Sequence, residues 1–253
     1  MPKSFIFYQG PSMLDGAPIV GIAVLKSENG KTGDMVQTYI LRADMHPLEA
    51  LASGADASIC GACIHRPRRE RMRDKRGRFT RKTKTVRTCY VDVAKSVSSV
   101  FRAFIAGSYD TLEPVDGAAR LAGRMVRLGA YGDPTAIPVH VWLALLADAA
   151  GHTGYTHQWR APLAADFAPL VMASADSPTD REQARAAGWR TFTVRTADQP
   201  LAAREIVCPA SPEGGERLQC IDCGACDGAD RPGKVSIAIV VHGAMARHFR
   251  AAA

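Results

Sequence analysis

The sequence predicts an α/β fold, a partial or compact (β/α) barrel carrying a cysteine-rich metal-binding element and a basic insertion. Three observations carry this expectation. Short apolar runs alternate with helix-like segments through most of the chain. Polar residues recur just after those runs, where a parallel barrel gathers its loops. The 253 residues, 47% hydrophobic and 23% charged, are enough for one domain with a full core.

In chain order, the apolar runs Pro18–Leu25 and Met35–Leu41 read as strands, followed by a helical stretch Val91–Ala106 and a shorter one at Ala118–Gly123. Strand Met125–Ala130 precedes helix Pro138–Ala150, and strands Gly154–Trp159 and Leu170–Ala173 precede helix Thr179–Ala187. That helix should stop at Gly188, since glycine takes the left-handed position after a helix end at little cost. Thr191–Val194 and Val235–Val241 complete the strand set. Residues 1–253 read as one domain, with 60–89 as a basic insertion bracketed by cysteines and 208–226 as a metal-binding loop.

Composition excludes collagen-like, mucin-like and wholly disordered classes. No apolar run reaches the roughly 18 residues of a membrane helix, and MPKSFIFYQGPSMLDG lacks a signal-peptide core, so the expectation is a cytoplasmic protein with no membrane partner.

The net charge of +7 is concentrated. Between Arg66 and Arg87 twelve Lys or Arg face only Glu70 and Asp74, so this segment carries +10 and the rest of the chain −3. A charge run is ordinarily a solvated, mobile stretch. Interrupted by Gly77 and Phe79, it also suits an arm that neutralises phosphates, with Arg68, Arg69, Arg71, Arg73, Lys75 and Arg76 as the contacting residues. Such an arm positions a polynucleotide and leaves base choice to a pocket.

Seven cysteines fall into two tight groups. Cys208, Cys220, Cys223 and Cys226 form C-x11-C-x2-C-x2-C, whose two-residue gaps bring thiolates around a common centre, with His242 as another possible ligand. Zinc and an iron–sulfur cluster both suit that spacing. Cys60, Cys63 and Cys89, with His65 nearby, are a second metal site, ligands to the first, or buried thiols.

In RLGAYGDP, GYTHQW, VMASADS and IVVHG the polar residues Asp133, His157, Asp176 and His242 follow apolar runs, which would place them at one barrel mouth. Either aspartate also suits a helix cap. Tyr155, His157, Gln158 and Trp159 offer aromatic faces and a hydrogen-bonding edge to an extruded base, although strand alternation commits about half of them to the core. Asn29-Gly30-Lys31-Thr32-Gly33 lacks the earlier glycine of a phosphate-binding loop and reads as a turn. No G-x-S-x-G or H-E-x-x-H occurs, which leaves serine-esterase and zinc-protease readings without an anchor.

The barrel pattern, the cluster LQCIDCGACDGAD, the acidic strand ends GAYGDP and VMASADS, and the basic arm together resemble the tRNA-guanine transglycosylase superfamily. Within it, the likeness is to the small phage enzymes that insert 7-deazaguanines into DNA. That family's zinc motif is C-x-C-x2-C with a later His, whereas this chain has C-x2-C-x2-C with Cys208 upstream and His242 downstream. The resemblance implies a glycosyltransferase in which an aspartate attacks C1′ of a guanosine nucleotide, guanine leaves, and a 7-deazaguanine such as preQ0 or preQ1 replaces it. It implies DNA rather than tRNA as polymer, zinc at the cluster, the host cytoplasm as location, and Asp133 and Asp176 as the carboxylates with His157 as proton carrier or base contact. An iron–sulfur enzyme on a partial barrel and a non-enzymatic, metal-stapled nucleic-acid-binding protein stand as the other readings.

Overall fold

The computed structural model describes residues 4–228, 235–243 and 246–249. The chain begins with three antiparallel strands, β1 (Phe5–Pro11), β2 (Pro18–Val24) and β3 (Val36–Arg42). Two short helices follow, α1 (Pro47–Ser53) and α2 (Ala57–Cys60), and then a separate hairpin, β4 (Arg68–Arg73) with β5 (Phe79–Val86). An irregular turn over Val93–Val97 leads into α3 (Ser98–Ile105), β6 (Asp110–Thr111) and α4 (Pro114–Leu121). The α/β part is β7 (Met125–Tyr131), α5 (Val139–Leu145), β8 (Gly151–Thr156), β9 (Met172–Ala175), α6 (Pro178–Ala186), β10 (Thr191–Arg195), β11 (Glu205–Val207), α7 (Cys220–Cys223) and β12 (Ser236–Val240).

Ten strands form one sheet in the order β11-β12-β10-β9-β8-β7-β3-β2-β1-β6. All neighbours from β11 to β3 are parallel, as α/β units require; β3–β2 and β2–β1 are antiparallel. The α/β class is therefore as expected. Among the described residues β11 and β6 are the sheet's edges and do not pair with each other, so the strand pairing itself does not close a barrel.

Packing explains the register. Phe5, Phe7, Ile22, Ile40, Leu128, Trp142, Leu145 and Phe167 form part of one buried core, with Phe7 and Trp142 rings 5.1 Å apart. Each such side chain contributes about 1.5–3 kcal/mol by leaving water. Gly188 takes φ +82° just beyond α6, as its helix-ending role requires.

Several sequence expectations shift. The strand expected at Gly154–Trp159 runs instead over Gly151–Thr156, because the chain bends at His157, whose N–H leaves the ladder for Asp133 Oδ2 at 2.9 Å. The long helix expected over Val91–Ala106 is interrupted at Lys95 (φ −92°, ψ −109°) and is regular only from Ser98. Helix Pro138–Ala150 is confined to Val139–Leu145, and the one expected at Ala118–Gly123 starts earlier, at Pro114, where proline's fixed φ suits a first helical turn. The basic segment is a β-hairpin rather than a featureless arm. No described helix is long and apolar enough to cross a membrane.

Candidate functional site

A cavity of about 840 Å³ opens on one face of the sheet. On β8 alternation decides what faces it: Thr153, Tyr155 and His157 line the cavity, whereas Gly154, Thr156 and Gln158 pack away from it. All seven cysteines line the same cavity.

Beyond the C-terminal ends of β8 and β9, three side chains converge. Asp176 Oδ1 lies 3.5 Å from His65 Nε2, and Asp176 Oδ2 lies 3.5 Å from His157 Nε2. The three ligand-capable atoms are all within 4.8 Å of one another, the one such trio of His, Cys, Asp or Glu among the described residues. The His65 and His157 rings meet edge to face, 5.6 Å between centroids. His65 Nδ1 is 2.8 Å from the Thr88 hydroxyl, which leaves Nε2 turned to the carboxylate. Asp176 is not a helix cap: Ser177 fills that position for α6, accepting from Asp180 N–H.

Burial opposes ionisation of Asp176, but the imidazoles of His157 and His65 outweigh it and hold the carboxyl well below the usual range. Burial likewise pulls the His157 imidazole down, and the Cys63 thiol and Asp176 carboxylate beside it outweigh that effect, raising it well above its ordinary value. Each shift favours the charged form, so the carboxylate and the imidazole stabilise one another's ionisation.

Asp133 also borders the cavity, yet its oxygens are committed. Oδ1 accepts from Thr135 N–H and Thr135 Oγ1 at 3.1 and 2.8 Å, capping the turn Pro134–Ala136, and Oδ2 accepts from His157 N–H and Gln158 Nε2 at 2.9 and 3.3 Å. Gln158 completes a brace, donating to Cys60 O and accepting from Ala62 N–H. Its amide packs directly against Gly61, at φ +53°, where any Cβ would overlap it. Trp159 is buried, with Nε1 donating to Ser174 O. Gln158 and Trp159, expected to contact a base, are therefore structural; Tyr155 is the residue of that stretch which, with His157, faces the cavity.

The basic hairpin rises from this site. Thr88 and Cys89 N–H groups both donate to His65 O, closing its root, and Arg66 grips Asp56 through two bonds of 2.8 Å. Arg69, Arg71 and Arg73 share one face, with the Arg73 guanidinium 3.8 Å from the centroid of the exposed Phe79 ring. Arg68 pairs with Glu70 at 2.9 Å on the other face, and Lys75 and Arg76 are exposed at the tip.

The second cysteine group lies elsewhere on the same cavity, with Cys208 directly after the C-terminal end of β11. Cys226 O accepts from Gly154 N–H, and Cys220 N–H donates to Lys31 O. No three of these thiols lie within 4.8 Å of one another, whereas a tetrahedral zinc with bonds of about 2.3 Å would hold them roughly 3.8 Å apart. The spacing does not fit a closed single-ion tetrathiolate. Two cations face the group: Lys31, and Arg127, whose guanidinium sits 4.4 Å over the Tyr155 ring. Tyr155 stacks on Phe192 at 4.0 Å. His242 lies 3.4 Å from Lys31 Nζ and stacks on Tyr90, with no thiol partner in that arrangement. Residues 229 and 230, the last two of the cysteine motif, lie outside the described residues.

Lys31 and Arg127 were not legible as site residues. Lys31 sits in a segment read as a simple turn, which the bond from Gly33 N–H to Asn29 O confirms, but its side chain enters the cavity. An arginine inside the apolar run of β7 was the available signal for Arg127.

The fold and site define an α/β protein with an aromatic, cysteine-rich cavity and a His–Asp–His centre at the C-terminal ends of its parallel strands. No family model matches the chain, and neither a curated protein nor a solved structure matches it.

Proposed function

We propose that the protein is a base-exchange enzyme acting on DNA, replacing guanine by a 7-deazaguanine with Asp176 as nucleophile. The observation that supports this most is the Asp176 carboxylate, held ionised between His65 and His157 in a nucleotide-sized cavity under the root of the hairpin in the +10 segment Arg66–Arg87. In the reaction an Asp176 oxygen bonds to C1′ as the C1′–N9 bond breaks. The leaving purine takes the electron pair and a proton from the His157 imidazolium. The incoming base returns its proton to His157 and displaces Asp176, so neither ATP nor a redox partner is consumed. Asp133 positions His157 and Gln158 and is not the attacking group. Tyr155, with Phe192 behind it and Arg127 across it, supplies the stacking wall for a base.

The test is incubation of guanine-containing DNA, and separately tRNA, with preQ0 or preQ1, followed by nucleoside digestion and mass spectrometry. Exchange into DNA that is lost in Asp176→Asn supports the reading. Absence of exchange into either polymer overturns it.

One observation favours a second reading. Seven cysteines around one cavity, spaced too widely for a single tetrahedral ion, suit an iron–sulfur cluster enzyme. Brown protein containing iron and acid-labile sulfide would select that reading.

A further inference from the structure

We propose that His65 Nε2, His157 Nε2 and an oxygen of Asp176 form a binding site for one divalent transition-metal ion, distinct from the cysteine groups, and that a bound ion excludes nucleophilic attack by Asp176. The second half rests on the base-exchange reading; the first does not.

The geometry points to an ion rather than to a hydrogen-bonded triad. Nitrogen–oxygen distances of 3.5 Å on both sides of Asp176 exceed the 2.7–3.2 Å or so of an N–H···O bond. Each imidazole nitrogen is at about the 3.4 Å expected between ligands placed about 2.1 Å from a tetrahedral ion, measured to its nearer Asp176 oxygen, and with one oxygen taken for Asp176 the three ligand atoms lie within 4.8 Å of one another. His157 Nε2 is buried and makes no hydrogen bond of ordinary geometry, its carboxylate neighbour standing off at 3.5 Å, an unusual cost for an imidazole nitrogen unless something else meets it. His65 has the support expected of a metal ligand, its other nitrogen 2.8 Å from the Thr88 hydroxyl, which fixes the ring. His157 is fixed differently, by its backbone N–H on Asp133. Two imidazoles and one carboxylate on one side of an open cavity leave coordination positions for water or substrate, and that donor set suits zinc, ferrous or cobaltous ions better than calcium or magnesium.

Exclusion follows from the electron pairs. A carboxylate coordinated to a dication has its charge drawn onto the metal, and the oxygen that would attack is engaged as a ligand. Attack on C1′ therefore requires the ion to leave.

The experiment uses the full chain, stripped with a chelator and titrated with Co²⁺ while the visible spectrum and bound metal are followed. One Co²⁺ equivalent should vanish in His65→Ala and in the near-isosteric Asp176→Asn, with folding checked by circular dichroism. A wild-type stoichiometry and spectrum in folded Asp176→Asn overturns the site. Zn²⁺ at one equivalent should then lower exchange at least tenfold, reversed by chelator. Exchange that is unaffected or stimulated by bound Zn²⁺ overturns exclusion while leaving the site. Loss of the Co²⁺ equivalent in a protein that shows no exchange at all would support the site and refute only the base-exchange reading.

Discussion

His65 Nδ1 and the Thr88 hydroxyl lie 2.8 Å apart, joining the two legs of the basic hairpin at the point where His65 turns its other nitrogen to Asp176. Polymer contact and chemistry thus share a residue pair. Thr88 is buried, so Thr88→Val keeps the shape and removes only the hydroxyl. Loss of such an orienting partner typically costs about 10- to 100-fold in metal affinity or activity. Co²⁺ affinity of Thr88→Val should fall within that range while its melting temperature stays near wild type. Unchanged affinity would mean that the hydroxyl does not orient the ring.

Asp133 and Asp176 should separate cleanly. Asp133 accepts four hydrogen bonds from Thr135, His157 and Gln158. Asp133→Ala leaves these donors unpaired at about 1–3 kcal/mol for each buried one. At roughly 2–4 °C per kcal/mol for a chain of this size, melting should drop by several degrees at the least. Asp176→Asn should melt within a few degrees of wild type and lose exchange. Thermal denaturation of both variants, with the exchange assay on the second, checks the division. A thermally neutral Asp133→Ala would remove its structural role.

The hairpin makes a prediction by face. Neutralising Arg69, Arg71 and Arg73 together should lower the log–log salt slope of DNA binding by up to about 2.7, since each phosphate left unneutralised takes about 0.9 from the slope. Arg68, engaged with Glu70 and with Ile64 O, should contribute less when neutralised alone. Because these residues lie outside the core, folding should persist. Binding titrations from low to moderate salt supply the slopes; equal slopes for wild type and triple variant would assign the arginines to solvent.

Several strands were legible because the buried strands are rich in apolar and β-branched residues: Val36–Arg42, Met125–Tyr131 and Thr191–Arg195 each lie within a residue or two of the expected spans. The hairpin was not, since Arg68–Arg73 and Phe79–Val86 bury almost nothing and carry no periodicity of hydrophobic residues. At the site, the position of Asp176 after an apolar run pointed to a strand end, and the structure puts it there. What the sequence leaves open is which polar group faces inward. Gln158 faces away from the cavity as alternation implies, whereas Trp159, which a longer strand would have turned inward with Tyr155 and His157, lies past the bend at Thr156–His157 with its Nε1 on Ser174 O. His65 depends on a contact 111 residues away in the chain, which no local pattern encodes.

The last prediction concerns charge at the second cysteine group. Cys208, Cys220 and Cys226 face Lys31 and Arg127, and Arg127 is buried. Four thiolates around an oxidised four-iron cluster carry about two negative charges. Two cations on the cavity wall are the matching complement. Removing one partner of a buried charge pair costs about 3–5 kcal/mol, because the other is left uncompensated. Arg127→Met keeps most of the side-chain volume and deletes the charge. If the group holds a metal centre, elemental analysis of purified Arg127→Met should show it depleted relative to wild type, and Cys220→Ser should deplete it too. The His65–His157–Asp176 site should keep its Co²⁺ equivalent in both variants. Full metal content in Cys220→Ser would show that the cysteines of this group do not hold a metal, and Lys31 and Arg127 would then be free to serve as anion contacts for the substrate inside the cavity.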